Sequence, residues 1–140
     1  MPTPCVNIYW NEGKGHYVVQ PAAASPLGAS REFGEPIIVE PDEFDQTIVS
    51  LVVKNLENYA NTVYDPALEP RRSTWQWRDF VKQHKLVTVA MPSPKQILIS
   101  ACERRGSSYG GVKGGDATLD AASMSAKLSQ MIREAFLKAT

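Results

Sequence analysis

Phe44, Ile48, Leu51, Val52, Leu56 and Tyr59 recur at spacings of three and four, the pattern of a helix that buries one face along its length. Asn55 alone interrupts the stripe. Acids crowd its start in Pro41-Asp42-Glu43-Phe44-Asp45, where negative charge meets the positive end of the helix dipole. The spacing predicts a helix from about Asp42 to Tyr59. A second stripe, Met124, Leu128, Met131, Ile132, Ala135 and Phe136, predicts another that starts near Leu119 or Asp120 and runs to the end of the chain. Helices of this kind must bury their apolar faces against a second layer.

Extended segments supply that layer. Val6 to Trp10 and His16 to Val19 flank Asn11-Glu12-Gly13-Lys14-Gly15, a tight-turn composition with two glycines free to take positive φ, so these segments read as a hairpin. Pro21 to Gly28 reads as a proline-broken loop. Pro36 to Glu40 is a third strand, rich in β-branched residues. Ala60 to Thr74 is loop, ending in Ser73 as the N-cap of a short helix, Thr74 to Lys82. Trp77, Phe80 and Val81 share the core-facing side of that helix and Trp75 points elsewhere. Leu86 to Ala90 and Lys95 to Ala101 form a second hairpin around the turn Met91-Pro92-Ser93-Pro94. Gly106 to Asp116 is either an irregular loop or a short edge strand. The sum is an α+β domain over 1–140: a mostly antiparallel sheet, two main amphipathic helices on one face, and one short helix.

Charge is distributed unevenly. The formal net charge of the 140 residues is zero, yet through Pro70 there are ten acids against three bases. The first half therefore carries about −7 and the second about +7. Either the halves neutralise each other by packing, or an acidic face meets a basic partner. Nothing approaches the roughly 20 apolar residues of a membrane span, and Met1 to Asn7 lacks the basic-then-apolar pattern of a secretory signal. A cytoplasmic protein is expected. Cys5 and Cys102, each beside a strand, read as buried reduced thiols.

Candidate chemistry is sparse. Gly106-Ser-Ser-Tyr-Gly-Gly-Val-Lys-Gly-Gly-Asp116 resembles a phosphate cradle, but Asp116 stands where a P-loop needs Lys then Ser or Thr. His16 and His84 have no His or Cys at metal-ligand spacing, and no local signature joins either to a cysteine nucleophile. The acids from Glu40 to Asp45 could serve as paired carboxylates, although the helix dipole accounts for one or two of them. Arg71, Arg72, Arg78, Lys82, Lys85, Lys95, Arg104, Arg105 and Lys113 lie among Trp75, Trp77 and Tyr109, a composition that suits nucleic acid. Against that stand the overall pI near 6.7 and the absence of a helix-turn-helix, RNP or OB signature. No metal or other cofactor is expected.

Trp75-Gln-Trp-Arg-Asp-Phe80-Val-Lys82, then the valine-rich Leu86 to Val89, then Ile97-Leu-Ile99, then Tyr109-Gly-Gly-Val-Lys-Gly-Gly before a closing helix, resembles bacterial contact-dependent growth inhibition immunity proteins of the CdiI type. Gly15-His-Tyr17-Val-Val leading to Pro36-Ile-Ile-Val and a helix has the same order of elements. The proline-rich turn at Met91 to Pro94 and the alanine-rich loop Ala22 to Ala29 depart from the pattern. The resemblance implies a non-enzymatic antitoxin that binds the C-terminal toxin domain of a cognate exported effector, with no membrane and no direct nucleic-acid partner. Such toxins are often nucleases with basic grooves, which an acidic surface would complement. Glu35, Glu40, Asp42, Glu43 and Asp45 are the candidate partner-binding residues, with Tyr109 as a second contact. The alternatives are a nucleic-acid-associated protein and a small enzyme.

Overall fold

The computed structural model describes residues 3–70 and 73–140. Strands β1 (Cys5–Asn11) and β2 (His16–Gln20) form the first hairpin. Its turn is set by Asn11, whose Oδ1 accepts from the amides of Gly13 and Lys14, both at 3.0 Å, and by Gly15 at φ +70°. Strands β3 (Ala22–Ala24), β4 (Ser30–Glu32) and β5 (Ile37–Val39) follow. A 3₁₀ turn at Pro41–Glu43 leads into α1 (Phe44–Tyr59). After a turn at Pro66–Leu68 come α2 (Thr74–Gln83), β6 (His84–Ser93), β7 (Gln96–Arg105), β8 (Ser108–Asp120), a turn at Ala121–Ser123 and α3 (Met124–Lys138).

Six strands form one antiparallel sheet in the order β5-β2-β1-β6-β7-β8. Side chains alternate between its faces. Val6, Ile8, Val19, Val87, Val89, Ile97 and Ile99 point to the first face, and α1 and α3 cover them with Phe44, Ile48, Val52, Leu56, Leu128, Ile132 and Phe136. The two apolar stripes of the sequence thus become one core, and the α+β expectation holds. The short helix α2 lies on the opposite face, where Phe80 and Val18 join Tyr9, Leu86 and Cys102. Ser73 caps it as expected and forms a full capping box with Gln76: amide to hydroxyl at 3.1 Å and amide to Oε1 at 2.8 Å.

Three segments differ from the sequence reading. Ala22 to Glu32 form a small hairpin of β3 and β4, because alanine is small enough for Ala22 and Ala23 to be buried and Gly28 turns at φ +87°. β6 continues through Met91 to Ser93, since Pro92 falls in the register shift between Ala90 and Ser93 and its missing N–H removes no ladder bond. The third, read as an irregular loop or a short edge strand, is an edge strand but a long one: Gly106 and Ser107 turn, and Ser108 begins 13 residues of β8. Its register jumps from Ser100↔Asp116 to Cys102↔Gly111, so 112–115 bulge opposite Ala101. No helix follows Gly115 directly, so the phosphate-cradle geometry is not formed.

That bulge depends on Gly115. A Cβ there would stand 3.0 Å from the Val112 Cβ and carbonyl oxygen and 3.2 Å from the Ala101 Cβ. Gly115→Val should lower stability by about 1–3 kcal/mol through overpacking, read as a reduced denaturation midpoint with unchanged slope.

Candidate functional site

On the α2 side of the sheet, the β3–β4 hairpin and α2 stand apart and leave a cavity of about 500 Å³. Asn7 and Tyr9 of β1, Leu86 of β6 and Tyr109 of β8 contribute to its lining, with Trp77 of α2 as one wall and Ser30, Arg31 and Glu32 of β4 as the other. The Glu32 carboxylate is held through Oε2, which accepts from the Tyr9 hydroxyl at 2.5 Å and the Asn7 amide at 2.9 Å. At the rim, Glu69 Oε1 accepts from Arg31 Nε at 2.8 Å and the Tyr64 hydroxyl at 2.5 Å. The Tyr64 hydroxyl, then Arg31, hold the Glu69 carboxyl below the usual carboxylate range.

Tyr9, 1% exposed, organises this face. Its ring meets Phe80 edge-on at 4.8 Å, His84 at 5.9 Å and Tyr109 at 6.1 Å. Trp77 stacks on Phe80 at 5.5 Å and donates through Nε1 to the Ser107 carbonyl at 2.6 Å. His84 stacks on Phe80 at 3.7 Å and donates from Nδ1 to the Phe80 carbonyl at 2.7 Å. The His84 carbonyl accepts from the Tyr109 hydroxyl at 2.8 Å and from Arg104 Nε at 3.1 Å, and Arg104 also pairs with Glu12. Burial raises the Tyr109 phenol above its ordinary range, so it remains a donor at neutral pH. The result is a rigid, aromatic-walled cavity with an anchored carboxylate.

The candidate acids lie elsewhere. Glu35 and Glu40 bracket β5, Asp42 and Glu43 sit in the turn before α1, and all four are exposed. Between them Ile38, 59% exposed, adds an apolar surface. Asp45 is also exposed, but its carboxylate accepts from Ser129 and pairs with Arg133 at 3.2 Å, both on α3. Two of the ion pairs among the described residues, Arg133–Asp45 and Arg104–Glu12, join the acidic and basic halves of the sequence, so internal neutralisation is partial. Tyr109 belongs to the other edge strand, five strand spacings or about 24 Å from β5, and faces the cavity. Arg71 and Arg72, members of the basic set, lie outside the described residues.

Cys102 donates to the Ser100 carbonyl at 3.9 Å, and burial raises the thiols of both Cys102 and Cys5, the condition of an unreactive sulfur. Among the described residues, no three His, Cys, Asp or Glu converge as metal ligands. No helix there is long and apolar enough to cross a membrane. The cavity residues Asn7, Tyr9, Arg31, Glu32 and Leu86 were not singled out by sequence. Their signal was present in β1, where Val6, Ile8 and Trp10 alternate with a fourth large apolar residue, Tyr9, so both faces of that strand needed cover.

No protein-family model matches the chain and no curated protein matches it in sequence. In fold it is similar to a protein of unknown function from Neisseria meningitidis, with TM-score 0.72 and 14% identity over 99% of this chain and 96% of that one. It is also similar to a chain of a CdiA-CT/CdiI toxin and immunity complex from Yersinia pseudotuberculosis, with TM-score 0.67 and 13% identity over 100% of this chain and 99% of that one.

Proposed function

We propose that this chain is an immunity protein, which binds the toxin domain of a cognate exported effector and neutralises it by occlusion. The observation that carries the reading is the end-to-end likeness to a chain of a toxin and immunity complex, reached independently of the order of motifs in the sequence. Occlusion requires no catalytic group on this side, only an interface. The β5 edge, with Glu35, Glu40, Asp42 and Glu43 around exposed Ile38, offers charge that steers a basic toxin and apolar area that holds it. The aromatic-walled cavity on the opposite face of the sheet is a second candidate contact.

The test is co-expression with the C-terminal domain of a large exported protein encoded beside this chain. Restored growth and a complex that survives gel filtration support the reading. Continued toxicity with no co-purification overturns it.

A further inference from the structure

Helix α2 carries a second surface that toxin occlusion at the β5 edge or the cavity does not require. Trp75, Arg78 and Lys82 stand at i, i+3 and i+7 and fall within about 60° of one another around the helix, opposite the side that carries Trp77 and Phe80. Trp75 is 71% exposed. Arg78 and Lys82 are exposed and make no ion pair among the described residues.

These two cations face a turn. Together with Gly106 and Ser107 they line a shallow cavity of about 360 Å³. Gly106 and Ser107 are the two central residues of the β7–β8 hairpin, closed by the pair Arg105↔Ser108, with Gly106 at φ +65°. Such a turn leaves its central amides outside the ladder, and the Ser107 hydroxyl has no hydrogen-bond partner among the described residues. The turn is fixed against α2 by the bond from Trp77 Nε1 to the Ser107 carbonyl. The side chains of Arg78 and Lys82 and the turn at Gly106 and Ser107 therefore line one hollow, with a guanidinium and an ammonium available to an anion there. That is the complement of an anion with several oxygens, and phosphate fits it better than a planar carboxylate.

We propose that this hollow binds a phosphodiester of single-stranded nucleic acid, with a neighbouring base stacked on Trp75. The Trp decides between anionic partners. A bare anion or an acidic peptide has no use for an indole left in water beside the cations, whereas a base stacks on an aromatic ring whatever its sequence. The overall pI near 6.7 supplies no long-range attraction, so binding is short-range and salt-sensitive. This is the nucleic-acid alternative that Trp75, Arg78 and Lys82 left open in the sequence.

The experiment is fluorescence anisotropy of labelled 12-mers of deoxythymidine and of uridine at low salt, with inorganic phosphate and poly-glutamate as competitors. Trp75→Ala should weaken binding at least five-fold, Arg78→Ala/Lys82→Ala at least ten-fold, and Arg78→Lys/Lys82→Arg should retain it. The double alanine variant should also flatten the salt dependence, by about 0.7 in log–log slope for the loss of one phosphate contact on a single strand. All substituted side chains are exposed, and unchanged circular dichroism and melting establish that each variant is folded. Absence of oligonucleotide binding, binding that ignores both substitutions, or poly-glutamate competing equally well with Trp75→Ala unchanged would each overturn the proposal.

Discussion

Replacing Tyr9 with alanine should lower the stability of the protein by about 3–5 kcal/mol, the cost of emptying a fully enclosed aromatic site. The residue is 1% exposed, and its ring is the common neighbour of Phe80, His84 and Tyr109. Through Phe80 it provides α2 with its apolar seat on the sheet, and through its hydroxyl it holds Glu32 in β4. Tyr9→Phe separates the two roles. It keeps the ring and removes one hydrogen bond to a carboxylate, a loss of about 1.5–3 kcal/mol, while Asn7 still donates to the same oxygen. Chemical denaturation should rank the wild type above Tyr9→Phe and Tyr9→Phe above Tyr9→Ala. Equal destabilisation in both variants would mean that the hydroxyl, rather than the ring, organises this face.

Periodicity is reliable where one face alone is buried, and that condition explains what the sequence revealed. The stripes of α1 and α3 were readable because each has a clean apolar side, and their buried residues Ile48, Val52, Leu56, Leu128 and Ile132 fall on those stripes. The Ser73 cap was readable because its chemistry is local. The second face of the sheet was harder. Tyr9, Leu86 and Cys102 each stand next to apolar residues that face the other side of the sheet, and only the pairing β1–β6–β7 sets them side by side. Trp77 and Phe80 were correctly read as inward, but inward means a different layer from the one built by α1 and α3.

The candidate site shows the same division. The acids from Glu35 to Glu43 are close in sequence, so their clustering at the β5 edge was legible. Asp45 shares that cluster, yet Arg133 and Ser129 engage it from the far end of the chain, a contact no local pattern announces. Glu32 reaches Asn7 and Tyr9 across 25 and 23 positions from a segment whose alanines and prolines read as loop. Its role became visible only once β3 and β4 paired. The glycines from Gly110 to Gly115 suggested a ligand loop, but the β7 partner strand fixes them as a bulged edge instead.

The acidic edge makes a prediction that the rest of the charge distribution can check. If a basic toxin domain approaches the β5 end, Asp42→Lys/Glu43→Lys should slow its association about ten-fold or more at low salt and leave dissociation nearly unchanged, because exposed charges away from the interface centre act on encounter. A matched variant controls for net charge. Asp116→Lys/Asp120→Lys shifts the net charge equally but does so at exposed positions of β8, at the opposite edge of the sheet, and should slow association far less. Neither pair of acids makes an ion pair among the described residues, so Asp116→Lys/Asp120→Lys should move stability by no more than about 0.5 kcal/mol, whereas Asp42→Lys/Glu43→Lys sets cations at the positive end of α1 and should cost about 0.3–1 kcal/mol per charge. Stopped-flow association across a salt series provides the measurement. Wild-type rates should fall steeply as the Debye length shrinks to about 8 Å at physiological ionic strength, and the Asp42/Glu43 variant should show a flatter dependence. Equal slowing by the two variants would reduce the effect to net charge, and a larger effect at Asp116 and Asp120 would move the approach to the β8 edge.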